Sequence, residues 1–124
     1  MTRLTFVEPP LGLEPLTDFT LEQIEGPDGL FALQSVDDPA RRMFLLNPAV
    51  YVPNYHPELS DAQAAALNLS TPDEAALFVI ANHREGTTTV NLLAPIVVNQ
   101  TTNMCAQFIL DGQDWPIQAP LAAP

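Results

Sequence analysis

The chain has 124 residues, 47% of them hydrophobic, which is enough for one packed core and far from the composition of a disordered segment. Fifteen Asp and Glu face four Arg and no Lys, a formal net charge of −11; cations this few and scattered argue against direct nucleic-acid binding, which draws its affinity from neutralised phosphates. No run approaches the roughly 18 apolar residues of a membrane-spanning helix, the N-terminus lacks the apolar stretch of a signal peptide, and the single cysteine, Cys105, fits a reducing compartment, so a cytoplasmic protein without membrane contact is expected.

Thirteen prolines confine regular elements to short spans, which suits strands and turns. Phe19-Thr20-Leu21-Glu22 reads as a half-buried strand, closed by the turn Glu25-Gly26-Pro27-Asp28-Gly29. Leu30 to Val36 reads as a second strand ended by Asp37-Asp38-Pro39. Met43-Phe44-Leu45-Leu46 is a third, stopping at Asn47-Pro48, and Val50-Tyr51-Val52 a fourth, stopping at Pro53-Asn54. Such spacing predicts antiparallel neighbours.

Ser60-Asp61-Ala62-Gln63 has the grammar of a capping box, a serine followed three places on by glutamine, and Ala64 to Leu67 are good helix formers; a helix of two to three turns is predicted. Thr71-Pro72-Asp73-Glu74 reads as a turn, and Ala75 to Ala81 as a central strand buried on both faces. In Thr88 to Asn99 the even positions from Val90 to Val98 are all apolar while the odd ones from Asn91 to Asn99 are mixed, the pattern of one long strand. Pro95 cannot donate to a ladder, so a bulge or bend is predicted there. Past the turn Gln100-Thr101-Thr102-Asn103, Met104 to Leu110 returns antiparallel, closed by Asp111-Gly112. The pattern implies one domain over residues 1–124, mainly all-β: a small antiparallel β-barrel-like fold with one or two short helices.

Chemistry-bearing motifs are sparse. His56 and His83 sit in no metal-ligand spacing, no G-x-S-x-G elbow or phosphate loop is present, and Cys105 lies in an apolar strand where a buried hydrophobe is the ordinary role. Paired carboxylates, Asp37-Asp38 and Asp73-Glu74, fall at turns beside proline, where capping accounts for them. No enzyme, cofactor or metal is expected. The polar residues Gln34, Ser35, Asn91 and Asn99, set inside apolar strands, have two readings: bonds to backbone at bulges and corners, or a partner-binding edge.

The strings Phe31-Ala32-Leu33-Gln34-Ser35-Val36-Asp37-Asp38-Pro39, Phe44-Leu45-Leu46-Asn47-Pro48 and Thr89-Val90-Asn91-Leu92-Leu93-Ala94-Pro95-Ile96-Val97-Val98-Asn99 resemble, in order and separation, the signature blocks of the FliW family of flagellar assembly factors. The likeness runs from Gly12-Leu13 to Gln118-Ala119-Pro120-Leu121. It departs at Gly12 to Leu16, where the family has a Gly-Pro-Gly-Phe-like string, and at Gln118, where it has a basic residue. The resemblance implies a non-catalytic β-barrel that binds two proteins, flagellin and the RNA-binding translational repressor CsrA, and restores flagellin synthesis by sequestering the repressor.

The acidity then has two readings, compositional background or a face that steers a basic partner. Partner binding is assigned to Gln34, Ser35, Asn47, Pro48, Asn91 and Pro95 in a chain monomeric when free. Gln34→Ala and Asn91→Ala are expected to weaken binding by roughly 1 kcal/mol each and spare the fold. The rival is a small-molecule-binding or hydrolytic barrel using His56, Glu58 and Asp61.

Overall fold

The first half of the chain alternates apolar and polar side chains, and its backbone follows that alternation strand by strand. A computed structural model describes residues 2–26 and 28–121, so Pro27 of the predicted turn lies outside the described residues. The strands are β1 (Thr2–Phe6), β2 (Asp18–Gln23), β3 (Leu30–Ser35), β4 (Arg42–Leu46), β5 (Ala75–Arg84), β6 (Thr87–Asn99), β7 (Met104–Gln107) and β8 (Ala119–Pro120). Two short helices, α1 (Pro48–Tyr51) and α2 (Asp61–Ala66), and a 3-10 turn at Pro72–Glu74 fall between β4 and β5.

The sheet order is β5-β4-β3-β2-β1-β7-β6-β8, and a further β5–β6 pairing closes the first seven strands into a barrel. Closure pairs each of these seven strands with a neighbour on both sides over part of its length, which limits the edge another chain could extend. Register fixes which side chains face inward: Leu4 pairs with Phe19, Leu21 with Leu33, Phe31 with Leu45, Leu45 with Ile80, Phe78 with Ile96, Val98 with Cys105, and Cys105 with Phe6. These residues fill the barrel. Phe6 meets Phe19 edge-on with centroids 5.1 Å apart, and Phe31 meets Phe78 at 5.2 Å, a geometry worth about 0.5–1.5 kcal/mol beyond area burial.

Two smaller cores lie outside the barrel wall. One packs Leu46, Tyr55, Val79, Val90 and Leu92 beneath α1 and the C-terminal segment around Trp115. The other packs Leu67, Val97 and Ala106 beneath Leu59 and Leu69, which flank α2. Ile96, Val97 and Val98 are therefore all buried, and the alternation of β6 disappears where both of its faces are covered.

The expected irregularity near Pro95 is a large bulge. Phe78 pairs with Ile96 and Ile80 with Asn91, so Val79 alone faces the four residues Leu92 to Pro95. Each backbone group of the bulge that leaves the ladder finds a partner. Asn91 Oδ1 accepts from Leu93 N and Ala94 N, each at 3.1 Å, and Leu92 N donates to the Pro116 carbonyl. The Leu92 carbonyl accepts from the Tyr55 hydroxyl, that of Leu93 from Leu110 N, that of Ala94 from Gln107 Nε2 and that of Pro95 from Phe108 N. Proline stands at the position where no donor is required.

Several expectations are corrected. Val50-Tyr51-Val52 is not a strand: Asn47 Oδ1 accepts from Ala49 N at 3.0 Å and Pro48 occupies the first turn, so α1 forms there. The capping box at Ser60 and Gln63 is present, but α2 has only 6 residues. It ends because Asn68 is left-handed at φ 53, with Leu69 N bonded to the Ala64 carbonyl and Asn68 N to that of Ala65, a Schellman ending. β5 is central, yet of Ala75 to Ala81 only Val79 is fully buried. β7 stops at Gln107 because Phe108 and Leu110 turn to bond the bulge.

Replacing Asn91 by alanine removes both bonds that hold the bulge. Asn91→Ala is expected to lower unfolding free energy in urea by about 1–3 kcal/mol, and Asn91→Asp, which keeps the acceptor, by clearly less. Equal losses in the two variants would show that the acceptor does not matter.

Candidate functional site

The structure disperses the six residues assigned to partner binding and gives most of them internal work. Ser35 is buried and its Oγ accepts from Asp38 N at 3.0 Å, which holds the β3–β4 turn. Asn47 caps α1, Pro48 and Pro95 are buried, and Asn91 serves the bulge. Asn99 is buried as well, donating from Nδ2 to the Leu67 carbonyl at 2.8 Å and accepting from Thr101 N at 2.9 Å. Gln34 keeps a half-exposed side chain on the outer wall, its Nε2 bonded to the Pro39 carbonyl at 2.8 Å. Each of these polar side chains thus has a backbone partner, and Gln34, Asn47 and Asn91 remain partly exposed.

His56, Glu58 and Asp61 are all solvent-exposed, and none lines the cleft that opens beside them. No convergent polar pocket forms from the three. Cys105 is buried and desolvation pushes its thiol up to about 12, the environment of a structural cysteine. Tyr55, buried against Trp115 at a centroid distance of 4.7 Å, has its phenol raised well above the ordinary value by desolvation. Both groups stay neutral at physiological pH.

The cleft itself lies between α2 and the start of β5. It has a volume of about 380 Å³ and is walled mainly by apolar groups, among them Pro57, Leu59, Ala64, Leu69, Pro72 and Leu77. Acidic residues adjoin its walls in sequence: Glu58 between two wall residues, Asp61 three positions before Ala64, and Asp73 next to Pro72, all exposed. Gln113 bonds the backbone of Glu58 at both N and O, which brings the acidic turn Asp111 to Asp114 against the same loop. Between Arg42 and Arg84 the chain has no Lys or Arg, so this region is anionic. Alternation could not reveal the cleft, because its walls come from loops and a short helix.

The rim is rigidly built. Glu74 Oε1 accepts from Ser70 N at 2.8 Å and from Thr71 N at 3.1 Å, and these backbone bonds hold its carboxyl below the usual value.

The sequence profile described as FliW protein matches residues 1–121. The chain belongs to the FliW family. Among its FliW relatives, a flagellar assembly factor of Syntrophus aciditrophicus is 32% identical over 110 residues, covering 87% of this chain and 70% of the relative. One from Bdellovibrio bacteriovorus is 35% identical over 122 residues, 95% of this chain and 69% of the relative. One from Desulfitobacterium hafniense is 40% identical over 91 residues, 72% of this chain and 60% of the relative, so the match spans less than two-thirds of that protein. The crystal structure of a flagellar assembly factor FliW superposes with a TM-score of 0.91 at 30% identity, covering 98% of this chain and 86% of the other. Gln118 lines a polar cavity of about 410 Å³ together with Arg84 of β5.

Two outcomes follow from these environments. Cys105 should resist thiol reagents at mildly alkaline pH in the native protein and label at the rate of global unfolding; rapid native labelling would contradict its buried setting. Because the folded Glu74 has a depressed pKa, its contribution to stability is present above the unfolded value and is lost as pH falls through the folded one. The stability gap between the wild type and Glu74→Gln should thus hold steady near neutrality and narrow in acid below about pH 4.5; a gap that widens in acid would reverse the sign.

Proposed function

We propose that the chain acts in the cytoplasm as a non-enzymatic binding protein for flagellin and for a CsrA-type translational repressor, relieving repression of flagellin synthesis by sequestering the repressor. Its relatives carry the name of flagellar assembly factors, which supports a place in that process. The observation that carries the binding reading is the apolar cleft between α2 and β5 with its acidic surroundings. An apolar depression gives a partner side chain a desolvated seat, and the carboxylates around it favour a partner with a basic surface, such as a protein that binds RNA phosphates. Gln34, Asn47 and Asn91, which remain partly exposed, are the surface candidates among the residues assigned from the sequence.

A ligand-binding or hydrolytic barrel has less support. The barrel interior is filled by Phe6, Phe19, Leu33, Leu45 and their neighbours, and His56, Glu58 and Asp61 point to solvent.

The test is association of the purified chain with purified flagellin and with the CsrA-type repressor of the same cell. Raising ionic strength from about 0.01 to about 0.15 M shortens the Debye length from roughly 30 to roughly 8 Å. Repressor association should slow on the order of tenfold over that range, and Asp61→Asn combined with Asp73→Asn should slow it at low salt. An association rate indifferent to salt would assign the acidity to composition, and absence of both complexes would remove the reading.

A further inference from the structure

A second apolar groove, of about 320 Å³, crosses the outer wall on the opposite half of β5 from the acid-rimmed cleft. Leu30, Phe44, Leu46, Tyr51, Ala81 and Leu121 line it. Register orders the groove along β4. Leu46 pairs with Leu30 at one end, Phe44 sits between Ala32 and Ala81 in the middle, and Arg42 pairs with Gln34 at the other end.

Phe44 is 43% exposed, the sole aromatic among the exposed large hydrophobic residues described, and it stands on a rigid strand rather than a loop. Burying such a ring in an interface releases water from a large apolar surface, and aromatic and Arg side chains are the ones that concentrate binding energy. Here the two occur together: the Arg42 guanidinium lies 5.1 Å from the centroid of the Phe44 ring.

Arg42, like Arg84, also differs from the other two arginines. Arg3 pairs with Asp18 at 3.8 Å and Arg41 with Asp38 at 3.6 Å; Arg42 has no carboxylate within salt-bridge distance among the described residues. His83, whose Nδ1 bonds Thr88 Oγ1 at 2.8 Å, lines the groove on the neighbouring strand. At the far end Tyr51 donates its hydroxyl to the Asp28 carbonyl at 2.8 Å, which sets an acidic residue beside the Leu30 end. The groove therefore has a cation beside Phe44, within a chain of net charge −11.

We propose that this groove docks a short amphipathic segment of a protein partner, with an apolar side chain over Phe44 and an acidic side chain paired to Arg42. Long-range repulsion from the net charge is screened beyond about 8 Å at physiological salt, whereas the contact with Arg42 is local and backed by an aromatic face. The surface is separate from the acid-rimmed cleft and does not depend on the identity of the partners proposed above.

The probe is a synthetic amphipathic helix with leucine on one face and glutamate on the other, alongside a twin carrying lysine in place of every glutamate. Binding is followed by amide chemical shifts of the isotope-labelled chain at physiological salt. The glutamate peptide should shift amides of β4 and of the β5–β6 hairpin saturably. Phe44→Ala and Arg42→Glu should each weaken it tenfold or more, and Arg42→Glu should transfer preference to the lysine twin. Melting curves establish that the variants fold; if Phe44→Ala does not, Arg42→Glu, at an exposed position, decides alone. The proposal is overturned by no binding to the wild type, by equal affinity in the wild type and Arg42→Glu, or by shifts mapping elsewhere. Concentration-dependent shifts in the groove without peptide would overturn it in favour of a second copy of the chain. Neither flagellin nor the repressor enters the experiment, so its failure leaves the previous reading standing.

Discussion

A barrel of seven short strands closes only if its longest strand turns a corner without leaving buried backbone groups unpaired. That requirement falls on Leu92 to Pro95, where β6 leaves its ladder with β5. The bonds that meet it come from distant parts of the chain: Asn91 from within the strand, Tyr55 from the segment after α1, Gln107 and Phe108 from the end of β7, Leu110 and Pro116 beyond it. An unpaired buried donor or acceptor costs about as much as a strong hydrogen bond gains, so these segments are held where the bulge needs them. The positions of the outer cores follow from that. Tyr55 and Trp115 cover one side because the Leu92 carbonyl is there to be satisfied.

Much of this was legible in the residues. Alternation marked β2, short apolar runs bounded by turn residues marked β3 and β4, and Pro95 marked the bulge because a residue without an N–H has few places in a sheet. The capping box at Ser60 was legible because it is local chemistry. Strand β1 went unread: five residues with only Leu4 and Phe6 facing inward give too short a pattern. At Val50-Tyr51-Val52 β-propensity lost to the cap at Asn47 and the proline beside it. The candidate site was far less legible. A polar residue in an apolar strand looks the same in sequence whether it bonds a partner or its own backbone, and in the fold Ser35, Asn91 and Asn99 each bond backbone. Phe44 escaped notice for the converse reason, since Met43, Phe44, Leu45 and Leu46 are all apolar and the sequence does not say which pair faces out.

Function in such a fold has to sit on the outside. The barrel interior is occupied by side chains, and the wall carries apolar depressions where the outer cores stop covering it. The two depressions differ in polarity, one amid carboxylates beside α2 and the other headed by Arg42. A chain with so few cations can present a positive contact only by position, and stacking Arg42 on an exposed ring fixes its place.

The parallel pairing of β1 with β7 joins Thr5 to Met104 and Phe6 to Cys105. During synthesis the first strand leaves the ribosome with one neighbour, β2, soon available and the other almost a whole chain away. Its outer edge therefore stays open, and the inward faces of Leu4 and Phe6 remain partly wet, until the last strand of the ring has emerged. Such high contact order slows folding and lengthens the interval in which an open sheet can meet other nascent chains. A barrel sealed by β1 and β7 reaches its native surfaces only after β7 has been made, so neither groove is presented by a shorter nascent chain with the geometry described above.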